Sequence, residues 1–212
     1  MRSAEGGVGG MARMASFALV LLLAGFLDLS QAKAAAWLSE SGSKAWLSGM
    51  IGPEDDKKFE EFLNRPRAQK LKVIYLSSPG GYLRPAVAIG MMIRKAGMAT
   101  AVEADKVLCD SACNVIFAGG AKRYYIRGDK VTEGFSSMTG LGYHPSSQVR
   151  DLRSPAVYSD KGTDAMLKYY RAMGQPRAAE LAQKAAFNSI FRPNGKTALQ
   201  LNIATSLSEP PD

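Results

Sequence analysis

The sequence predicts an α/β domain built around a largely parallel sheet. Two observations lead to that class: stretches with the character of buried strands alternate with stretches of helical periodicity, and glycine or proline clusters punctuate the junctions. A third is composition. With 46% hydrophobic and 22% charged residues, the 212-residue chain has the usage of a folded protein, and its length suits one domain plus its termini.

The elements follow in order. Residues 1–34 read as a secretory signal peptide: Arg2 and Arg13 precede an uncharged run from Met14 to Leu27, and Ala32-Lys33-Ala34 offers small residues for cleavage. That run is shorter than the ~20 residues a bilayer span requires, so cleavage is expected and no membrane span afterwards. Residues 36–51 hold two apolar stretches around Ser41-Gly42-Ser43, a strand pair. Acidic residues after Pro53, then Phe59, Phe62 and Leu63 at helical spacing, predict a helix. Lys70–Leu76 is a strand ending in Ser77-Ser78-Pro79-Gly80-Gly81. From Tyr82 to Lys95, Leu83, Val87 and Met91 mark the apolar stripe of a helix that Gly97 terminates. Met98–Val102 is a strand, Ser111–Ala118 a short apolar helix, and Tyr124–Ile126 another strand. Asp164–Met173 and Arg177–Phe187 are helices parted by Gly174 and Pro176. The domain spans 35–205, and residues 206–212 read as a flexible tail.

The charge balance excludes some functions. Lys and Arg outnumber Asp and Glu by 27 to 19, but the excess is spread along the chain, which argues against nucleic acid as a partner. Losing the signal peptide removes three basic and two acidic residues, so the chain stays basic. Two cysteines and one histidine are too few for a structural zinc site. Gly80-Gly81 lacks the Lys-Ser/Thr partner of a phosphate loop, so neither a nucleotide nor a metal cofactor is expected. Export would place the cysteines in an oxidising compartment, periplasmic or extracellular.

Three features bear chemistry. The Ser78-Pro79-Gly80-Gly81 turn can aim main-chain N–H groups at a developing oxyanion, or be merely a turn. Ser111, within Cys109-Asp110-Ser111-Ala112-Cys113, stands at a helix N-terminus where a nucleophile is favoured; Ser111 or Asp110 as a plain N-cap is the competing reading. His144 is the sole histidine, hence the sole candidate for an imidazole base. Cys109 and Cys113, taken as four apart on a helix with α-carbons ~6 Å apart, read as either a strained disulfide or two buried thiols.

In order and spacing these features resemble the Clp protease proteolytic subunit and its secreted relatives, the ClpP/crotonase-like superfamily. The resemblance rests on the Ser-Pro-Gly-Gly loop, the nucleophile turn at Ser111 and the glycine-rich approach to His144 (Gly140-Leu141-Gly142-Tyr143). Leu47–Ile51 looks like the segment that opens this fold, and Asn194–Thr205 like its final helix and strand. It implies a single-domain spiral of βαβ units, with Ser111 as nucleophile, His144 as general base and an oxyanion hole from the N–H groups of Gly81 and Ala112. Where the family has an aspartate, this chain has Asn188, which would orient the imidazole; Asp160 and Asp164 are substitutes.

The implied activity is that of an exported serine hydrolase, a peptidase acting on a peptide or protein, and the family implies a homo-oligomer. The alternative is a catalytically weak or inactive peptide-binding or assembly protein on the same fold. A Ser-Lys hydrolase is a further reading, with Lys106, Lys122 and Lys130 as candidates.

Overall fold

The computed structural model describes residues 37–148 and 155–211; the signal-peptide segment lies outside the described residues. A hairpin opens the fold: β1 (Trp37–Ser41) turns through Gly42, at φ +60°, into the antiparallel β2 (Lys44–Ser48). Helix α1 (Asp55–Leu63) buries Phe59 and Phe62, and β3 (Val73–Ser77) then pairs parallel to β2. Helix α2 (Leu83–Lys95) leads to β4 (Ala99–Glu103), parallel to β3. Beyond β5 (Leu108–Asp110) and α3 (Ala112–Ala118), β6 (Arg123–Ile126) completes a five-stranded sheet in the order β1-β2-β3-β4-β6.

The chain steps off that sheet at the end of β3. Ser78 donates its N–H to the Leu108 carbonyl and accepts from the Asp110 N–H, so the extension of β3 lies parallel to β5. β5 in turn pairs parallel with β7 (Gly140–Gly142), with Asp110 opposite Gly142. This shift from one sheet to a second, smaller one is the turn of a βαβ spiral. The remaining elements are the short hairpin β8 (Ser147–Gln148) and β9 (Val157–Tyr158), and helices α4 (Asp160–Ala172), α5 (Ala178–Lys184) and α6 (Gly195–Gln200). Helix α4 starts four residues earlier than its periodicity predicts because Ser159 caps it, its side chain accepting from the Gly162 N–H.

The buried stripe of α2 is not the one expected from Leu83, Val87 and Met91. Pro85, Ala86, Ile89, Gly90 and Ile93 are buried, and Met91 is exposed. The reason is the close crossing of α2 and α3: a β-carbon at Gly119 would lie 2.5 Å from the Gly90 α-carbon, so small residues define the contact. The guanidinium of Arg94 secures the same crossing by donating to the carbonyls of Ala118, Gly119 and Gly120 at the C-terminal end of α3. One continuous core of aliphatic and aromatic side chains fills the space between the sheets and helices.

The C-terminal residues do not form a loose tail. Tyr125 donates its N–H to the Ser206 carbonyl at 2.8 Å, Arg127 donates to Leu207 at 3.1 Å, and Pro210 is buried. The far edge of β6 offers unpaired main-chain groups, and residues 206–207 satisfy them. No described helix is long and apolar enough to cross a membrane.

Candidate active site

The Ser-Pro-Gly-Gly turn is built by its glycines. Gly80 and Gly81 have φ of +97° and +140°, where side chains are strained. Space forbids a side chain as well. A β-carbon at Gly80 would lie 2.7 Å from the Asp110 carbonyl oxygen and 2.8 Å from Ser111 Cβ, and one at Gly81 would lie 2.9 Å from main-chain atoms of Ile51. Ile51 donates to the Gly80 carbonyl and accepts from the Tyr82 N–H, which pins the turn from its other side. Among the described residues no main-chain acceptor takes the Gly81 N–H, and Gly81 lines a cleft.

Ser111 stands between β5 and α3 with φ +54° and ψ −119°, a conformation rare for a residue with a side chain. Its side chain makes no capping hydrogen bond, so the N-cap reading of its hydroxyl does not hold. Several ties hold it in this shape. Its N–H donates to the Gly142 carbonyl at 2.9 Å, and Asn114 donates its side-chain amide to the same carbonyl. Cys109 and Cys113, both fully buried, form a disulfide with α-carbons 5.1 Å apart. Cys109 is in the strand and Cys113 in the helix, so the bond spans the turn at Ser111 and not two turns of one helix. Ala112, the first residue of α3, has an N–H without an intrahelical acceptor.

His144 leaves the C-terminal end of β7, the strand beside the one that delivers Ser111. Its ring is partly buried, and Nδ1 is enclosed without a hydrogen-bond partner. Burial holds the imidazole pKa below its ordinary value; the carbonyls of Pro145 and Phe187 and the Asp110 carboxylate act the other way. In the segment expected to orient the ring, the Phe187 main chain acts to raise the imidazole pKa, while the Asn188 side chain is exposed. Asp160 and Asp164 are exposed on α4. No hydrogen bond joins the Ser111 hydroxyl to the His144 imidazole among the described residues; such bonds are often long without substrate.

A cleft of about 440 Å³ opens at Ser111. Gly81, Tyr82 and Leu83 line one side, Ser111 and Ala112 the floor, and Ser146, Ser147, Gln148 and Met166 the other side. Gly81, Ser111 and Ala112 therefore border one space, and His144 is not among the residues that line it. Lys106, Lys122 and Lys130 are exposed and none lines the cleft; Lys106 pairs with Glu103 and Lys130 with Asp129. No group of three His, Cys, Asp or Glu suited to a metal occurs among the described residues.

Sequence reasoning missed the far wall and the supports. Met166 comes from α4, Ser146 is held by its N–H to Thr163 Oγ1 at 3.0 Å, and Asn114 links α3 to Tyr170. Arg192 forms a buried ion pair with Asp110 through both guanidinium nitrogens, and also donates to the Ser137 and Gly140 carbonyls. Only the amphipathic spacing of α4 hinted at any of this.

No family model matches the chain, and no curated protein matches it. Solved structures do. A serine-to-alanine mutant of the 1510-N membrane-bound stomatin-specific protease superposes with a TM-score of 0.54 at 15% identity, over 76% of each chain. A lysine-to-alanine mutant of that protease, in complex with a substrate peptide, gives 0.51 at 12% identity over 76% of this chain and 72% of that one. At such identities the likeness concerns the fold alone: the chain is a mixed α/β domain with a largely parallel sheet, a fold it shares with that protease.

Proposed function

We propose that the chain is an exported serine hydrolase, a peptidase, with Ser111 as nucleophile and His144 as general base. One observation carries the reading: Ser111 is held at positive φ on a strand-to-helix turn, its hydroxyl unused as a cap, at the edge of a cleft that Gly81 and Ala112 also line. A serine serving only to cap α3 would accept a hydrogen bond from the helix it precedes. Strain of this kind, over-determined by a disulfide and several hydrogen bonds, is the usual state of a nucleophile turn.

The chemistry follows from the parts. With its pKa lowered by burial, the imidazole is neutral at neutral pH and available to take the Ser111 Oγ proton as the oxygen attacks an acyl carbon. The oxyanion of the tetrahedral adduct would be met by the Gly81 and Ala112 N–H groups, donors fixed before the reaction begins. Proton return to the leaving amine yields the acyl-enzyme, and water completes the cycle with His144 again as base. Among the described residues no carboxylate hydrogen-bonds the ring, and Asp110 acts on it only as a nearby charge, so turnover is slow relative to a full triad.

Fluorophosphonate labelling of the purified mature chain tests the assignment. Labelling is expected in the wild type and lost in Ser111→Ala and His144→Ala. No labelling between neutral and alkaline pH would overturn it and leave a peptide-binding protein on the same fold. Labelling retained in His144→Ala would transfer the base role to another group, such as a lysine.

A further inference from the structure

Ser111 and His144 leave neighbouring parallel strands, and their alignment depends on how those strands are held together. Asp110 precedes Ser111 and pairs in register with Gly142, two residues before His144. A β-carbon at Gly142 would collide with Asp110 Oδ1 and lie 2.7 Å from Arg192 Nη1. The carboxylate and the guanidinium therefore occupy the space above Gly142 where a side chain would otherwise stand. His144 lies two residues beyond Gly142, past the end of β7, and the Asp110 carboxylate above Gly142 acts on its imidazole as a nearby negative charge.

Arg192 binds this arrangement from a third segment. Both of its terminal nitrogens contact Asp110, while Nη1 also donates to the Gly140 carbonyl and Nε to the Ser137 carbonyl. Its neighbour Phe191 exchanges both main-chain hydrogen bonds with Tyr143, at 2.8 and 2.9 Å. Asp110 and Arg192 are each about nine-tenths or more buried. A pair placed so deep is a poor source of net stability, since desolvation offsets most of the attraction. Its location between nucleophile strand and base strand gives it another task.

We infer that Asp110 and Arg192 are positioning residues of the Ser111–His144 site: the buried pair clamps β5 to β7 and sets a fixed negative charge, restrained by the guanidinium, facing the imidazole across Gly142. This rests on the reading of Ser111 and His144 as nucleophile and base. The charged and polar groups around the ring are few. The Asp110 carboxylate acts on it from β5, the Phe187 main chain from the segment after α5 and the Pro145 main chain from the next residue, while Arg192 adjoins through its ion pair with Asp110. Helix α3 carries no ionisable side chain apart from its disulfide cysteine.

His144 is the only histidine, so its ring signals can be followed by NMR without assignment ambiguity. The titration midpoint is read in the wild type, Asp110→Asn, Arg192→Gln and the double variant, which removes both charges and so avoids an unpaired buried ion. Removing the carboxylate should lower the midpoint and removing the guanidinium should raise it, each by about half a pH unit or more, with the double variant below Arg192→Gln. Arg192→Lys, which keeps the charge, should titrate nearer to the wild type than Arg192→Gln does, and label more slowly than the wild type. If Asp110→Asn does not fold, the step from Arg192→Gln to the double variant carries the test. Equal midpoints in folded variants would overturn the inference. Absence of fluorophosphonate labelling in the wild type would instead overturn the hydrolase reading, a separate outcome.

Discussion

The backbone of Gly80 lies against Ser111 so closely that a β-carbon on the glycine would come within 2.8 Å of the serine's own Cβ and 3.2 Å of the Ala112 nitrogen. The turn that would supply one oxyanion donor and the turn that carries the nucleophile are therefore in direct contact. Neither can shift without moving the other. This makes Gly80→Ala a sensitive probe. Its φ of +97° adds strain of roughly 1–3 kcal/mol to the collision. Displacement of the nucleophile by ~1 Å should lower the labelling rate about 100-fold. Gly42→Ala, also at positive φ but with nothing near its β-carbon, should leave labelling unchanged. Parallel fluorophosphonate time courses on the two variants check this.

The pH dependence has a defined sign. Burial favours the neutral form of His144 in the folded state, so its folded pKa lies below the unfolded value near 6.5. The labelling rate should rise with pH through a midpoint below ~6.5 and then level off, because the reactive form is the neutral base. Stability follows the same linkage: it is full above the unfolded pKa, falls as the pH drops below it, and stops falling on this account beneath the folded pKa. A His144→Gln variant should lose that part of the acid sensitivity. Thermal melts of both proteins from pH 8 to pH 5 make the comparison; an acid limb above the ordinary imidazole value would contradict it.

The disulfide should matter locally. Closing so short a loop contributes about 2 kcal/mol in the chain-entropy account. Its second effect is on Ser111, which lies between the bonded cysteines and owes its positive φ partly to them. Cys109→Ala/Cys113→Ala should melt lower than the wild type and label at least ~10-fold more slowly, since orientation of the reacting group is lost. Equal labelling rates would assign the bond to stability alone.

The buried polar chain behind α3 should cost more to cut in the middle than at its end. Asn114 donates to the Gly142 carbonyl and accepts from the Tyr170 hydroxyl, and all three are buried. Asn114→Ala strands two partners and should cost about 1–3 kcal/mol for each, whereas Tyr170→Phe strands one. Denaturant midpoints rank the two. The Asn114 variant should also slow labelling, because the carbonyl it supports is the one that receives the Ser111 N–H.

What the sequence determined by itself is local. The glycine turn after β3, the serine at the head of an apolar helix, and the β-branched runs are set by backbone sterics and side-chain periodicity within a few residues, so they could be read directly. The short strands could not. β5 and β7 have three residues each, and Gly140-Leu141-Gly142 carries no alternation to read; they are strands because they pair with each other across 32 positions. The same holds for the supports of the site. Arg192 meets Asp110 from 82 residues away, and Met166 lines the cleft from α4. Which α2 face is buried was decided by the Gly90–Gly119 crossing and not by the spacing of its larger apolar residues. Contacts of this kind depend on chain paths that only packing selects. The residue types able to do chemistry were visible in one dimension, and the cleft that Gly81, Ser111 and Ala112 border together belongs to the tertiary structure.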